Sequence, residues 1–98
     1  SHKWSKLAGI AIAQNRIGNI TAAKAAMAEL TTDTDTVSLY QQAQVFAQWG
    51  EIDRALSALW QAYEQRDAGL TEIRVDPMLD PLIKQPRFID LLKSMGLA

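Results

Sequence analysis

Apolar residues recur along this chain at the i, i+3, i+4, i+7 spacing of amphipathic α-helices, in blocks separated by glycine or polar loops. The clearest pair of blocks lies between Thr36 and Asp67. The first carries Leu39, Ala43, Phe46 and Ala47 on one face, and the second carries Ile52, Ala55, Leu56, Leu59, Ala62 and Tyr63. Gly50 stands between them, so the stretch predicts two helices folded back as a hairpin. Such a hairpin cannot bury both faces of its helices alone and needs neighbours.

The preceding residues supply one. Residues 3 to 16 predict a helix with Trp4, Leu7, Ile10, Ala11 and Ala13 available for packing, closed by Asn15-Arg16-Ile17-Gly18-Asn19. Gly18 can take the left-handed conformation that ends a helix at little cost. A second helix is expected from about Ile20 to Leu30, with Ala23, Ala26, Met27 and Leu30 facing the core. Thr31 to Thr36 reads as a polar loop in which Thr34 or Asp35 caps the next helix.

Beyond the second hairpin, Asp67-Ala68-Gly69 is expected to end it, and Leu70 to Val75 reads as one short helix with Leu70 and Ile73 inward. Asp76-Pro77 and Asp80-Pro81 each read as a helix start. A carboxylate caps free N–H groups there, and proline fits the first turn. Gln85-Pro86 opens a last helix with Phe88, Leu91, Leu92 and Met95 as its stripe, and Gly96 closes it. This tail reads as a cap over the last exposed face of a stack.

The two hairpins match each other. Gly18-Asn19-Ile20 corresponds to Gly50-Glu51-Ile52, Ala23 to Ala55, Met27 to Leu59 and Leu30 to Ala62, always 32 residues apart. Helix–turn–helix units repeating at about 34 residues are the signature of a tetratricopeptide array. The second unit resembles that repeat through Ala43, Phe46, Gly50, Ile52, Ala55, Leu59 and Ala62. It departs from it at Leu39, where the motif has Trp, at Gln42, where it has Leu, and at Asp67, where it has Pro. In the first unit Trp4-x-x-Leu7-Ala8 looks like the motif's opening, but Gly18 arrives three residues late. Registering on Gly18 puts Leu7 and Ile10 at the large apolar positions instead. The ending of the chain, from Tyr63 through the Asp-Pro steps to Met95-Gly96-Leu97, is similar to the end of many bacterial tetratricopeptide regions. Those commonly follow a winged-helix, adenylate-cyclase or protein-kinase domain.

The resemblance implies an all-α fold of helical hairpin repeats forming an α–α superhelix with a C-terminal capping segment. Residues 1–2 are a tag remnant on this reading, residues 3–33 the first repeat, 34–68 the second and 69–98 the cap. Ser1-His2 in place of an initiator Met suggests a piece of a longer protein.

Composition narrows the chemistry more than it names it. The chain has 98 residues, 10 basic and 11 acidic, a formal net charge of −1 and no cysteine. That leaves no disulfide, thiolate metal site or Cys nucleophile, and no electrostatic footprint for nucleic acid or an anionic membrane. The longest apolar run, Leu7 to Ala13, falls well short of the ~20 residues that cross a bilayer. With no signal peptide visible, a cytoplasmic setting is expected. The single histidine, His2, lies in the suspected tag, so neither a Ser-His-Asp arrangement nor a histidine metal cluster can be assembled. The glycines are scattered singly and make no phosphate-cradling loop.

Other candidates have plainer explanations. Asp33 and Asp35 begin like a calcium loop, but Ser38 and Gln44 stand where that loop needs Gly and Glu. Asp76, Asp80 and Asp90 could form a carboxylate site, although two of them precede proline and read as caps. Trp60 and Tyr63 read as contacts to the tail, and Trp49 as a half-exposed aromatic that could meet a partner.

No catalytic residue, metal ligand or cofactor is therefore expected. In a tetratricopeptide array the first helix of each hairpin lines the inner face. Here that selects Ile12, Asn15, Arg16, Tyr40, Gln44 and Gln48, a mixture suited to a peptide groove or to a solvated helix face. The expected function is a non-catalytic interaction or regulatory module of a larger bacterial protein, with a protein or peptide partner. Two alternatives stay open: a structural end cap of a longer scaffold, and self-association through Trp4 and Ile12.

Overall fold

In the computed structural model the described backbone covers residues 2–32, 36–66 and 68–97, and the described side chains those of 5–32, 39–66 and 70–97. Five α-helices are described, α1 (His2–Arg16), α2 (Ile20–Thr31), α3 (Thr36–Trp49), α4 (Ile52–Glu64) and α5 (Pro86–Ser94). Between α4 and α5 lie two 3-10 helices, η1 (Ala68–Glu72) and η2 (Pro77–Leu82). The fold is all-α. Among the described residues no helix is long and apolar enough to cross a membrane. The expected caps at Thr34 and Asp35 and the calcium-like pair Asp33 and Asp35 fall outside the described residues, as do the side chain of Trp4 and the tag residue Ser1.

Helix α1 packs on α2, and α3 packs on α4, with α3 also touching α1, α2 and the tail. The two interhelical turns are alike in detail. Gly18 has φ +86° and Gly50 φ +82°, followed by Asn19 at φ −84°, ψ 75° and Glu51 at φ −89°, ψ 74°. In each, the residue after the glycine donates its N–H five residues back, Asn19 to Gln14 and Glu51 to Phe46, both at 2.9 Å. The glycine itself donates to Asn15 in one turn and Ala47 in the other. These are paired Schellman closures that satisfy carbonyls a helix end leaves free. Gly96, at φ +74°, closes α5 with the same bonds, Leu97 to Leu92 and Gly96 to Lys93. The turns differ at the cap. Asn19 accepts from the Ala22 N–H at 3.2 Å, whereas Glu51 makes no capping bond and instead faces Arg54 at 3.5 Å.

Among the described residues two core clusters result. The smaller joins the hairpins: Ala8, Ala11, Ile12, Ala26, Met27 and Leu30 receive Val45 from α3, with Leu7, Phe46 and Trp49 partly buried at its edge. The larger is built by α3, α4 and the tail, around Ala43, Ala55, Leu59, Ala62, Leu79, Leu82 and Leu91, all fully buried. Each buried leucine contributes about 1.5–3 kcal/mol relative to an exposed one. The alanines let the helices approach closely.

Three local expectations change. On α1 the buried stripe is Ala8, Ala11 and Ile12, while Ile10 and Ala13, expected to pack, are exposed. Both sets are apolar at helical spacing, and the described neighbours of α1 lie on the Ala8–Ile12 side. Helix α4 stops at Glu64, and the left-handed residue after it is Arg66 at φ +59°, ahead of Gly69. Asp80-Pro81 does not start a helix, because Pro81 lies inside η2.

Candidate partner-binding face

Tyr40, Gln44 and Gln48 fall four residues apart and so share one stripe of α3. Periodicity alone leaves that stripe facing open solvent or a groove. In the structure the chain's own tail runs along it. Asp76 holds the entry to η2: its Oδ1 accepts from the Met78 N–H at 2.9 Å. Its Oδ2 accepts from the Tyr40 hydroxyl at 2.5 Å and from Gln44 Nε2 at 2.7 Å. One carboxylate thus caps a helix and anchors the tail to α3. Charge-assisted bonds of this kind are shorter and stronger than neutral ones.

The next contact follows from a proline. In a 3-10 helix the N–H of each residue bonds the carbonyl three back. Pro81 has no N–H, so the Met78 carbonyl loses its partner within η2. Gln48 Nε2 donates to that carbonyl at 2.8 Å. The Gln48 amide oxygen in turn accepts from Arg16 Nη2, so α1, α3 and the tail meet on one side chain.

The six expected face residues therefore divide. Ile12 and Tyr40 are buried, the first in the core between the hairpins and the second against the tail. Gln44 and Gln48 are half-buried and hold Asp76 and Met78. Arg16 is exposed beside Gln48, and Asn15 is half-buried next to it in sequence. The structure brings Arg16, Gln48 and Met78 together at one edge; it does not leave Tyr40 and Gln44 lining an open groove. Asp76 and Met78 were the members missed by inner-face reasoning. Asp76 could be read as a cap, but nothing local marks its second oxygen as an α3 contact.

The indole rings serve the hairpin and tail contacts. Trp49 Nε1 donates to the Ala11 carbonyl at 3.1 Å, tying hairpin two to hairpin one. Trp60 Nε1 donates to the Arg87 carbonyl at 3.1 Å and its ring meets Tyr63 edge-on at 5.9 Å. The Tyr63 hydroxyl reaches the Ser94 carbonyl at 3.0 Å. On the opposite side of α3, a cleft of about 430 Å³ is lined by Lys24, Met27, Phe46, Trp49, Glu51 and Arg54, among others. Phe46 and Trp49 stand edge-to-face at 6.3 Å there, with the Arg54 guanidinium 5.8 Å above the Phe46 ring.

Among the described residues no group of three or more His, Cys, Asp or Glu lies close enough to share a metal ion. Asp80 and Asp90 are exposed, and Asp76 is committed to Tyr40, Gln44 and the Met78 N–H. The arrangement can present hydrogen-bonding side chains and partly buried aromatic rings to a partner. Searched against protein families, curated proteins and solved structures, the chain matches none of them.

Proposed function

We propose that this chain is a non-catalytic protein-interaction module of tetratricopeptide type, serving as a regulatory or scaffolding segment of a larger bacterial signalling protein. The observation that carries this reading is the recurrence of one turn, Gly18-Asn19 and Gly50-Glu51, with the same dihedrals and the same closing hydrogen bonds. Similar helix–turn–helix units at a fixed interval are how helical-repeat scaffolds are built, and such scaffolds act through surfaces rather than chemistry. The partner surface is the edge formed by Asn15, Arg16, Gln48 and Met78, a rim of donors and acceptors beside an exposed methionine. Selection of displayed peptides on the intact chain tests it. Arg16→Ala and Gln48→Ala should each weaken selected peptides about tenfold, as loss of one charge-assisted contact does, while Lys93→Ala on α5 leaves them unchanged. Absence of any enriched peptide, or equal binding by all variants, rejects it.

A second reading, the structural end of a longer scaffold, has its own support. The tail seats Leu79, Leu82, Phe88 and Leu91 against hairpin two, whereas on hairpin one Ile10 of α1 and Ile17 in the turn after it stand exposed.

A further inference from the structure

We infer that the exposed strip formed by Gly9, Ile10 and Ala13 of α1 and by Ile17 just beyond its end is a docking surface for another helical hairpin, one that presents an alanine-lined socket. This deepens the repeat reading and rests on it. The argument uses the interface already present between the two hairpins. Hairpin one offers a socket of Ala8, Ala11, Ile12, Ala26, Met27 and Leu30. Hairpin two fills it with fully buried Val45 and partly buried Phe46 and Trp49. Side chains around the socket reinforce the seam, Gln41 to Ser5 Oγ at 3.0 Å and Trp49 to the Ala11 carbonyl.

The matched turns carry each position of hairpin two onto one 32 residues earlier. Of the residues that fill the socket, Val45 then falls on Ala13, Phe46 on half-buried Gln14 and Trp49 on Ile17, with Gly9 and Ile10 alongside at the places of Gln41 and Gln42. Gly9, Ile10, Ala13 and Ile17 are all exposed, Ile17 to 75% and Ile10 to 38%. None of them is charged. Two of the three positions that hairpin two uses to enter a socket, those of Val45 and Trp49, are thus repeated on hairpin one as uncovered apolar residues, and Ile10 extends them into a strip. Terminal units of repeat proteins normally carry a polar outer face. At the other end of this fold the tail covers the last face.

The same geometry selects the occupant. A second copy of this chain cannot stack head-to-tail on the strip through its own socket, because its Val45, Phe46 and Trp49 already fill that socket. The partner is a hairpin whose socket is vacant: small residues at the places of Ala8, Ala11 and Ala26, with larger ones at the places of Met27 and Leu30.

The test supplies such a hairpin. Residues 5–36 are duplicated directly ahead of Ser5 in the intact chain, which preserves the 32-residue interval. Docking predicts one cooperative transition with a melting temperature raised by roughly 5 °C or more, and slowed amide exchange throughout the added helices. Introducing Ala13→Lys with Ile17→Lys in the original hairpin should abolish the rise and the added protection. The same pair in the unextended chain should leave melting almost unchanged, since both sites are exposed. An added segment without protection, or a gain that survives the paired substitutions, overturns the inference. The peptide selection described above reads a different edge, so either result can fail while the other stands. Sedimentation of the unextended chain separates a further outcome: a concentration-dependent dimer abolished by Ile17→Lys would make the strip a self-association face and reject the hairpin partner.

Discussion

Tyr40 donates its hydroxyl to Asp76, 36 residues further along the chain, at 2.5 Å. The tyrosine ring is buried between α3 and the tail, and the carboxylate it meets also closes the first turn of η2. A single side chain thereby joins a local helix start to a long-range packing contact.

The pair should be energetically coupled. Tyr40→Phe keeps the ring and removes one bond to a charged acceptor, expected to cost about 1.5–3 kcal/mol. Asp76→Ala removes the cap and strands two donors, so a loss of about 2–4 kcal/mol is expected. The double variant should fall short of the sum by about 1 kcal/mol or more. Urea unfolding of the four proteins measures this. Simple additivity would mean that the hydrogen bond carries no stability.

The two glycine turns make a matched pair of experiments. A Cβ at Gly18 or Gly50 meets no atom within 4 Å, so Gly→Ala there costs backbone strain alone, about 1–2 kcal/mol at each site. Because the dihedrals agree to within a few degrees, the two losses should be nearly equal. Arg66 offers the converse. It holds φ +59° without being glycine, and Arg66→Gly should stabilise the chain by roughly 0.5 kcal/mol after the entropy of glycine is deducted. Unequal losses at Gly18 and Gly50 would show that the turns are not energetically equivalent.

Much of this was legible in the sequence because its causes are local. Gly18, Gly50 and Gly96 mark left-handed closures by residue type, and Pro86 marks a helix start by its fixed φ. The face of α1 was not legible, since Leu7, Ala8, Ile10, Ala11, Ile12 and Ala13 form one unbroken apolar run apart from Gly9. Every stripe through that run is apolar, and only the neighbours decide which is buried. The use of Tyr40, Gln44 and Gln48 was hidden for a different reason. Their partners Asp76 and Met78 lie 30 to 36 residues away, and no spacing rule links them. Pro81 was misleading locally: it reads as a helix start, but its missing N–H lies inside η2.

Trp49 should act as a hinge pin between the hairpins. Trp49→Phe keeps an aromatic ring against Phe46 but loses the bond to the Ala11 carbonyl. A global loss of about 1 kcal/mol is expected. Amide exchange should accelerate more in α1 and α2 than in α4 and α5, because the larger core does not involve this bond. Uniform acceleration across all helices would place the contact in the global unfolding unit instead.

Gln48 and Pro81 provide the sharpest check on the tail. Gln48 serves the Met78 carbonyl, whose partner within η2 is missing because Pro81 has no N–H. Removing the donor by Gln48→Ala should cost about 0.5–1.5 kcal/mol, since the exposed carbonyl can turn to water. Pro81→Ala restores an N–H three residues after Met78, the position a 3-10 helix uses. In that background the cost of Gln48→Ala should shrink, because the carbonyl again has a donor from its own helix. A double-mutant cycle followed by thermal melting measures the difference. An unchanged cost would mean that Gln48 stabilises the chain through Arg16 rather than through the carbonyl. The tail would then be held to α3 chiefly by Asp76 and by the burial of Leu79 and Leu82.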